Sequence, residues 1–355
     1  MSVDNALDPG LAKAEAETFW YDIQHLEVEG KGWADTKSFY DRFPARAEGV
    51  VREPVWNLGH HSAGMCVRFV TDAPAIQGRW TLLSANLAMN HMPATGVSGL
   101  DLYAKAGDGS WRWLGVGRPA AQTNALQLAG NLPLGVREYL LYLPLYNGVT
   151  SVEVGIPGDR KIAKGASRGP GREKPIVFYG TSITQGGCAA RPGMAYPAIV
   201  GRRLGYPVIN LGFSGNGKME PEIASLLAEL DPAIYVLDAQ ANMQTQEVVE
   251  RAEPFVQTLR RAHADTPILL VEERTASNAR LLAPQGRPHH AKRAALRQAY
   301  ENLTAGGGRN LHYLHGDHLL KDDGEGTVDG SHPTDLGFSQ MADAFEVALR
   351  PILGD

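Results

Sequence analysis

Pro175-Ile-Val-Phe-Tyr-Gly-Thr-Ser-Ile-Thr-Gln-Gly-Gly187 is the stretch that decides the fold of this 355-residue chain. An apolar run leads directly into glycine and small polar residues, which predicts a buried strand that ends in a tight turn. Four later runs have the same character: 207–211, 233–237, 267–271 and 311–314. Helix-forming residues follow these runs at 221–230, 247–264, 291–303 and 333–353. Alternation of strand and helix predicts a five-stranded parallel sheet with helices on both faces.

The first half of the chain has a different pattern. Its apolar runs are short and are separated by Gly, Pro, Asn and Asp, as at 64–70, 78–83, 99–104 and 139–143. Short, evenly spaced strands with such turn residues predict an antiparallel β-sandwich of the jelly-roll type. The tryptophans also lie in this part: Trp20, Trp33, Trp56, Trp80, Trp111 and Trp113. Core packing is the commoner role of tryptophan in a sandwich, and a platform that stacks on sugars is the alternative.

A basic stretch rich in Gly and Pro separates the two halves. Residues 157–174 fit neither the period of a strand nor that of a helix. We therefore predict an N-terminal sandwich domain with an N-terminal extension over 1–160, a linker over 161–174 and an α/β domain over 175–355. Two domains also suit the length, because a single core rarely grows beyond about 250–300 residues.

Composition and charge exclude several classes of protein. Hydrophobic residues make up 43% of the chain and charged residues 21%, as in a folded globular protein. The net charge of -5 offers no basic excess for a phosphate backbone, so we expect no nucleic-acid partner. No apolar run reaches the length of a membrane span, and the first residues lack a signal-peptide pattern. With only two cysteines, Cys66 and Cys188, the sequence predicts a soluble, cytoplasmic protein without a disulfide framework.

Polar residues and glycines follow the predicted strands at their carboxyl ends, where open α/β sheets bind ligands. Ser182 comes directly after the first strand, and Gly215 lies in the glycine-rich turn after the second. Asn242 follows the third strand, and Asp329 and His332 follow the fifth. Because the carboxyl ends of parallel strands meet at one edge of the sheet, we expect these residues to converge.

These residue types are the parts of an acyl-transfer site. A serine hydroxyl becomes a nucleophile when a histidine takes its proton, and a carboxylate holds that histidine in the required tautomer. We therefore predict that Ser182 is the nucleophile, His332 the general base and Asp329 its orienting carboxylate. The amides of Ser182 and Gly215 and the side chain of Asn242 are predicted to form the oxyanion hole.

The same segments resemble the sequence blocks of the SGNH/GDSL hydrolases over about residues 172–355. The blocks are Gly180-Thr-Ser-Ile183, Asn210-Leu-Gly-Phe-Ser-Gly215, a block that ends in Asn242, and Asp329-Gly-Ser-His332. The resemblance implies a flavodoxin-like, three-layer α/β/α hydrolase domain that uses these residues without a metal or organic cofactor.

Two positions depart from the family pattern. Thr181 replaces the Asp beside the serine, and the third block reads Asp238-x-x-x-Asn242 in place of Gly-x-Asn-Asp. With the predicted sandwich in the first half, the chain resembles a subgroup that carries an N-terminal β-sandwich. That subgroup includes acetylxylan and other carbohydrate esterases, and a related fold works as an acyltransferase. The resemblance therefore implies a serine esterase that takes a small ester or an acetylated oligosaccharide, and that can assemble into a homo-oligomer.

Two other functions are compatible with the same residues. An acyltransferase would use the same three side chains to pass the acyl group to an alcohol or amine instead of water. A carbohydrate-binding protein would have lost hydrolysis through the changes at Thr181 and in the asparagine block. The presence of Ser182, Asn242 and His332 favours an active enzyme over the binding protein.

Other motifs are weaker candidates. Gly165-Ala-Ser-Arg-Gly169 matches G-x-S-x-G, but it lacks the preceding strand and following helix of a nucleophile elbow. His312, His315 and His318 recur at intervals of three, but a strand and a loop are not expected to bring them to one metal ion. Cys188 is predicted to have a packing role.

Three charged residues near strand ends are candidates for contacting the substrate. They are Arg191, Glu273 and Arg274, which we expect at the mouth of the site.

Overall fold

The computed structural model describes residues 3, 5–279, 281 and 287–354. Contacts divide the chain into two compact units. The first contains the residues up to Pro44, His60–Pro170 and Ala190–Gly193. The second contains Ala45–Gly59, Gly171–Ala189 and the residues from Met194 onward.

The secondary structure is numbered along the whole chain. The strands are β1 (Lys13–Glu15), β2 (Thr18–Asp22), β3 (Glu27–Glu29), β4 (Cys66–Thr71), β5 (Ile76–Leu82), β6 (Leu100–Lys105), β7 (Trp111–Gly117), β8 (Thr123–Ala129), β9 (Arg137–Tyr142), β10 (Val149–Pro157), β11 (Ile162–Lys164), β12 (Ile176–Gly180), β13 (Val208–Gly212), β14 (Ile234–Asp238), β15 (Ile268–Val271) and β16 (Leu311–Leu314). The α-helices are α1 (Glu53–Gly59), α2 (Ala94–Val97), α3 (Ser182–Gln185), α4 (Tyr196–Leu204), α5 (Pro221–Leu227), α6 (Thr245–Ala262), α7 (Arg287–Ala305) and α8 (Asp335–Leu353). In the described part of the chain, none of these helices is both long and apolar enough to cross a bilayer.

The first unit is built from two antiparallel sheets. One sheet has the order β1-β2-β10-β5-β8, and the other has the order β11-β4-β9-β6-β7 with β3 paired to β4. Buried and half-buried residues alternate along β5, as expected for a strand with one face on a core. Side chains from both sheets meet in one hydrophobic cluster that includes Phe69, Trp80 and Tyr139. The predicted antiparallel sandwich is confirmed.

The second unit contains a parallel sheet with the order β13-β12-β14-β15-β16. Numbered within this unit, the order is 2-1-3-4-5, which is the flavodoxin-like arrangement. Every residue of β12 and β14 is buried, as expected for central strands between helical layers. Helix α4 packs against α8, whereas α5, α6 and α7 pack in series. The predicted five-stranded α/β domain is confirmed.

Two stretches show contacts that the local sequence does not indicate. Residues 161–174, predicted to be a linker, include β11, which pairs with β4 through the buried residues Ile162 and Ala163. Residues 45–59 fall within the predicted sandwich domain, yet by their contacts they belong to the second unit. There Arg52 donates hydrogen bonds to Glu220 at 2.6 Å and to Asn216 at 2.7 Å.

Candidate active site

Ser182 is the first residue of α3 and follows β12 after a single intervening residue, Thr181. Thr181 caps this helix, because its hydroxyl accepts a hydrogen bond from the Ile183 N–H at 3.3 Å. The Thr181 N–H in turn donates to Thr184 Oγ1 at 3.3 Å, which completes a capping box. Gly186 ends the short helix with a φ of 108°, a conformation that favours glycine. The strand, the cap and the glycine together fix the backbone that carries Ser182, which is 7% exposed.

Asp329 and His332 lie in the loop before α8. His332 Nδ1 is 2.8 Å from Asp329 Oδ2, and His332 Nε2 is 2.9 Å from Ser182 Oγ. When Nδ1–H donates to the carboxylate, Nε2 is left to accept the proton of the Ser182 hydroxyl. The structure therefore brings together the three side chains predicted to be catalytic, in the order serine, histidine, carboxylate.

The Asp329 carboxylate is held by several N–H donors. Its Oδ1 accepts the backbone N–H groups of Ser331 at 2.9 Å and His332 at 2.7 Å. Partial burial acts to raise the pKa of Asp329, but the hydrogen bonds from His332 and Ser331 outweigh burial and lower it to about 2. Asp329 is thus ionised near neutral pH and can stabilise a positive charge on the His332 ring.

The glycine-rich turn after β13 packs against the peptide that precedes the nucleophile. Phe213 N–H donates to Gly180 O at 3.0 Å, and a Cβ on Gly217 would lie only 2.1 Å from the same oxygen. Gly217 N–H also donates to Asn242 Oδ1 at 3.2 Å, which ties Asn242 to this turn. Among the described residues, nothing accepts a hydrogen bond from Gly215 N–H or from Asn242 Nδ2. Two of the three predicted oxyanion-hole residues, Gly215 and Asn242, therefore keep an N–H donor for a ligand.

Both halves of the chain match models of known protein families. Residues 173–350, half of the chain, match the model of the GDSL-like lipase/acylhydrolase family. Residues 18–162 match the model of the N-terminus of SGNH-hydrolase-type esterases. The chain belongs to the GDSL-like lipase/acylhydrolase family. This finding confirms the resemblance that was drawn from the four sequence blocks.

One solved structure supports membership of this GDSL-like family, and two more distant ones share the fold. A protein of Bacteroides ovatus described as a GDSL-like lipase is 36% identical, with 95% of this chain and 98% of that chain covered and a TM-score of 0.89. The salicylyl-acyltransferase SsfX3 from a tetracycline biosynthetic pathway shares the fold at 18% identity, with 96% and 98% covered and a TM-score of 0.76. A family two carbohydrate esterase from Clostridium thermocellum, in complex with cellohexaose, shares it at 15% identity, with 82% and 95% covered and a TM-score of 0.60. No curated protein sequence matches the chain.

One buried carboxyl group of this member of the GDSL-like family was not predicted from the sequence as a site residue. Asp238 is the last residue of β14, and its Oδ2 accepts the Tyr196 hydroxyl at 2.8 Å and the Thr184 hydroxyl at 3.3 Å. Burial raises the pKa of Asp238 to about 7, although Tyr196, Arg274 and Thr184 act to lower it. Because Thr184 belongs to α3, Asp238 supports the helix that carries Ser182. The sequence signal that could have identified Asp238 is an acidic residue directly after a run of apolar residues.

Arg191, predicted to contact substrate, belongs to the first unit. Its Nη1 is 2.9 Å from Asp101 Oδ2 and also donates to the Tyr103 hydroxyl. Its guanidinium lies 5.2 Å from the centre of the Trp113 ring. Arg191 therefore has an extensive set of partners within the first unit.

Glu273 and Arg274 are both buried, at 3% and 5% exposure. The Glu273 carboxylate accepts a hydrogen bond from Lys292 Nζ at 2.6 Å, and Arg274 Nη2 donates to Ser331 Oγ at 2.8 Å. These placements differ from the expectation that both side chains line the mouth of the site, because their charged groups are engaged inside the unit.

The weaker candidates take ordinary structural places. Cys188 is 6% exposed, and burial followed by the nearby Asp329 charge raises the pKa of its thiol to about 11. The G-x-S-x-G sequence at 165–169 has no helix after it. Four of the six tryptophans, Trp20, Trp33, Trp56 and Trp80, are buried, which is the core-packing role, whereas Trp113 is 50% exposed.

Proposed function

We propose that this protein is a serine esterase that removes short acyl groups, acetyl in the first place, from carbohydrates or oligosaccharides. Ser182 is the nucleophile, His332 the general base and then acid, and Asp329 the carboxylate that orients the ring. The observation that carries the proposal is the pair of hydrogen bonds that His332 makes, 2.9 Å to Ser182 Oγ and 2.8 Å to Asp329 Oδ2. Family membership supports ester chemistry for this arrangement.

Acylation begins when Ser182 Oγ attacks the carbonyl carbon of the ester while His332 Nε2 takes the hydroxyl proton. The carbonyl oxygen becomes an oxyanion, for which the N–H of Gly215 and Nδ2 of Asn242 offer donors, together with the N–H of Ser182. Asp329 stabilises the imidazolium without taking its proton. The bond between the carbonyl carbon and the sugar oxygen then breaks, and Nε2 protonates that oxygen.

Deacylation repeats the same steps with water. His332 Nε2 takes a proton from a water molecule as the water oxygen attacks the acyl group on Ser182 Oγ. When the intermediate collapses, the Ser182 oxygen leaves and recovers its proton from the ring, and the carboxylic acid departs. No group other than the three side chains and the N–H donors is required by these steps.

Transfer to another acceptor is the second candidate function. It is favoured by the fold that the chain shares with the salicylyl-acyltransferase SsfX3 along 96% of its length. Only the last step differs, because an alcohol or amine attacks the acyl-Ser182 intermediate in place of water. Release of the acid in the absence of any added acceptor separates hydrolysis from transfer.

The test is acetate release from acetylated xylo-oligosaccharides, beside a series of p-nitrophenyl esters of increasing chain length. We expect turnover by the wild type and a fall of at least about 10⁴-fold in kcat for Ser182→Ala. Ser167→Ala is the matched control, because Ser167 is the exposed serine of the competing G-x-S-x-G sequence. Its activity should equal that of the wild type.

Three outcomes would contradict the proposal in different ways. Loss of activity in Ser167→Ala, with activity retained in Ser182→Ala, would assign the nucleophile to Ser167. Turnover that appears only when an alcohol or amine is added would favour the acyltransferase. Sugar binding that survives Ser182→Ala, without turnover of any ester by the wild type, would make the protein a carbohydrate-binding protein.

A further inference from the structure

Arg274 is a buried cation whose position the proposed chemistry does not explain. It comes three residues after the end of β15 and is 5% exposed. Burying a guanidinium is costly unless it is paired, so its partners indicate what the residue does.

The partners of Arg274 lie in the loop that carries the acid–base pair. Its Nη2 donates to both the backbone carbonyl and the hydroxyl of Ser331, the latter at 2.8 Å. Ser331 stands between Asp329 and His332, and the N–H groups of Ser331 and His332 both donate to Asp329 Oδ1. The peptide bond between Ser331 and His332 is therefore held on both sides. Its carbonyl oxygen accepts a hydrogen bond from Arg274, and its N–H donates to Asp329.

These two contacts reinforce each other. A cation bonded to a peptide carbonyl polarises the peptide, which makes its N–H a stronger donor. Here that N–H is the His332 N–H, 2.7 Å from Asp329 Oδ1. A stronger bond at this point fixes Asp329 and His332 relative to each other, which is the relation that keeps Nε2 directed at Ser182 Oγ.

Acidic groups surround the buried Arg274 guanidinium. Burial lowers its pKa, and the nearby Asp238, Glu273 and Asp329 offset that effect only in part. Asp238 in turn accepts the Thr184 hydroxyl from α3, so the carboxyl group that supports the nucleophile helix also interacts with the Arg274 guanidinium.

We propose that Arg274 is a positioning residue, which holds the Asp329–His332 loop through the Ser331 carbonyl and hydroxyl and so keeps His332 aligned with Ser182. This inference rests on the proposed esterase function. Arg274 touches no reacting atom, so its loss should lower kcat with little change in KM.

The variants separate the hydrogen-bonding fork from the charge. Arg274→Lys keeps the positive charge but loses the planar fork, and we expect kcat to fall about 10-fold. Arg274→Ala removes both, and we expect a fall of about 10²-fold, since a misalignment of about 1 Å has that effect. Added guanidinium chloride at low millimolar concentration should partly restore kcat in Arg274→Ala and in no other variant.

Arg293→Lys is the matched control. Arg293 is also buried, at 8% exposure, and its Nε and Nη2 donate to Glu273 O at 2.9 and 2.7 Å. It therefore anchors the same segment of chain, but its partners are Glu272, Glu273, Thr275 and Asp317 and do not include the 329–332 loop. A role in folding alone would give Arg293→Lys and Arg274→Lys the same loss of kcat.

A measurement without substrate separates this inference from the proposed function. The proton shared by His332 Nδ1 and Asp329 Oδ2 should give a downfield proton resonance in the wild type that is absent in His332→Ala. We expect this resonance to be lost or broadened in Arg274→Ala and retained in Arg293→Lys.

Ser331→Ala is a second variant, to be used if the arginine variants do not fold. Ser331 is exposed, and the change removes only the hydroxyl that accepts from Arg274. For it we expect an approximately 3-fold loss of kcat, as for one weakened hydrogen bond.

The outcomes are distinguishable. If the wild type turns over esters, unchanged kcat in both Arg274 variants overturns the inference about Arg274 and leaves the proposed function standing. Equal losses of kcat in Arg274→Lys and Arg293→Lys have the same consequence. An unchanged downfield resonance in folded Arg274→Ala overturns it whether or not any ester is turned over. If the arginine variants do not fold, unchanged kcat in Ser331→Ala also overturns it. Absence of turnover by the wild type overturns the proposed function, and the resonance then decides about Arg274.

Discussion

Asp329 and Asp238 are two carboxyl groups of the same unit with opposite environments. Asp329 lies in a surface loop with its side chain 40% exposed, and backbone N–H groups and the His332 ring surround its oxygens. Asp238 is buried at the end of β14, where hydroxyl groups of Tyr196 and Thr184 are its hydrogen-bond donors. The pKa is about 2 for Asp329 and about 7 for Asp238.

The two environments give the two carboxyl groups different roles: one stays ionised, and the other supports a helix through hydrogen bonds. Peptide N–H groups in a loop can converge on one carboxylate and keep it ionised, and partial exposure spares most of the cost of desolvation. A strand end inside the sheet offers few backbone donors, because its N–H groups are used by neighbouring strands. Asp329 is thus suited to stabilise a cation, whereas Asp238 is suited to accept hydrogen bonds in a neutral or shared state.

The largest expected effect concerns activity. Asp329→Asn should lower kcat by about 10⁴-fold, because the amide cannot hold the Nδ1–H tautomer or stabilise the imidazolium. Asp238→Asn, the matched change at the buried site, keeps an acceptor oxygen for Tyr196 and Thr184 and should stay within about 10-fold of the wild type. Steady-state kinetics on p-nitrophenyl acetate would measure both.

Two results would contradict this contrast between Asp329 and Asp238. Equal losses in the two variants would show that the charge on Asp238 is as important as the charge on Asp329. A loss below about 10-fold in Asp329→Asn would remove the carboxylate from the proposed mechanism.

A smaller effect concerns the dependence of stability on pH, which should have opposite signs at the two sites. Asp238 is protonated in the folded state up to about pH 7 but ionises near pH 4 when unfolded, so the wild type loses stability as the pH rises between these values. The loss in the free energy of unfolding is on the order of 4 kcal/mol, and Asp238→Asn should not show it.

Asp329 has the opposite effect on stability. It is ionised in the folded state down to about pH 2, so its contribution is lost as the pH falls from about 4 to about 2. Screening by solvent reduces that contribution to about 1 kcal/mol.

Urea unfolding of the wild type and both variants at several pH values between about 3 and 8 measures these contributions. The stability of Asp238→Asn relative to the wild type should increase as the pH rises from about 4 to about 7. A difference that stays constant over this range would show that Asp238 is ionised throughout and would remove the contrast between the two carboxyl groups.

The sequence predicted the elements that depend on local pattern. The buried runs at 175–179 and 233–237 correspond to Ile176–Gly180 and Ile234–Asp238, because an apolar run bounded by turn residues has few other solutions. The convergence of Ser182 with His332, 150 residues later, was predictable because both follow strands of one parallel sheet.

The sequence did not predict features that depend on contacts between distant segments. Nothing local marks residues 45–59 as part of the second unit, since their partners, such as Glu220 and Glu229, lie more than 160 residues away. The strand at Ile162–Lys164 depends on pairing with β4 and not on its own propensity. The burial of Glu273 and Arg274 depends on side-chain partners that no strand-end rule identifies.

Covalent labelling tests the central claim most directly, namely that Ser182 is a nucleophile activated by His332. The protein would be treated with a fluorophosphonate, and the modified residue would be located by peptide mass spectrometry in the wild type, Ser182→Ala and His332→Ala. We predict one adduct on the peptide that contains Ser182, no adduct in Ser182→Ala and strongly slowed labelling in His332→Ala. An adduct on Ser167 or another residue, or labelling that persists in Ser182→Ala, would contradict the account.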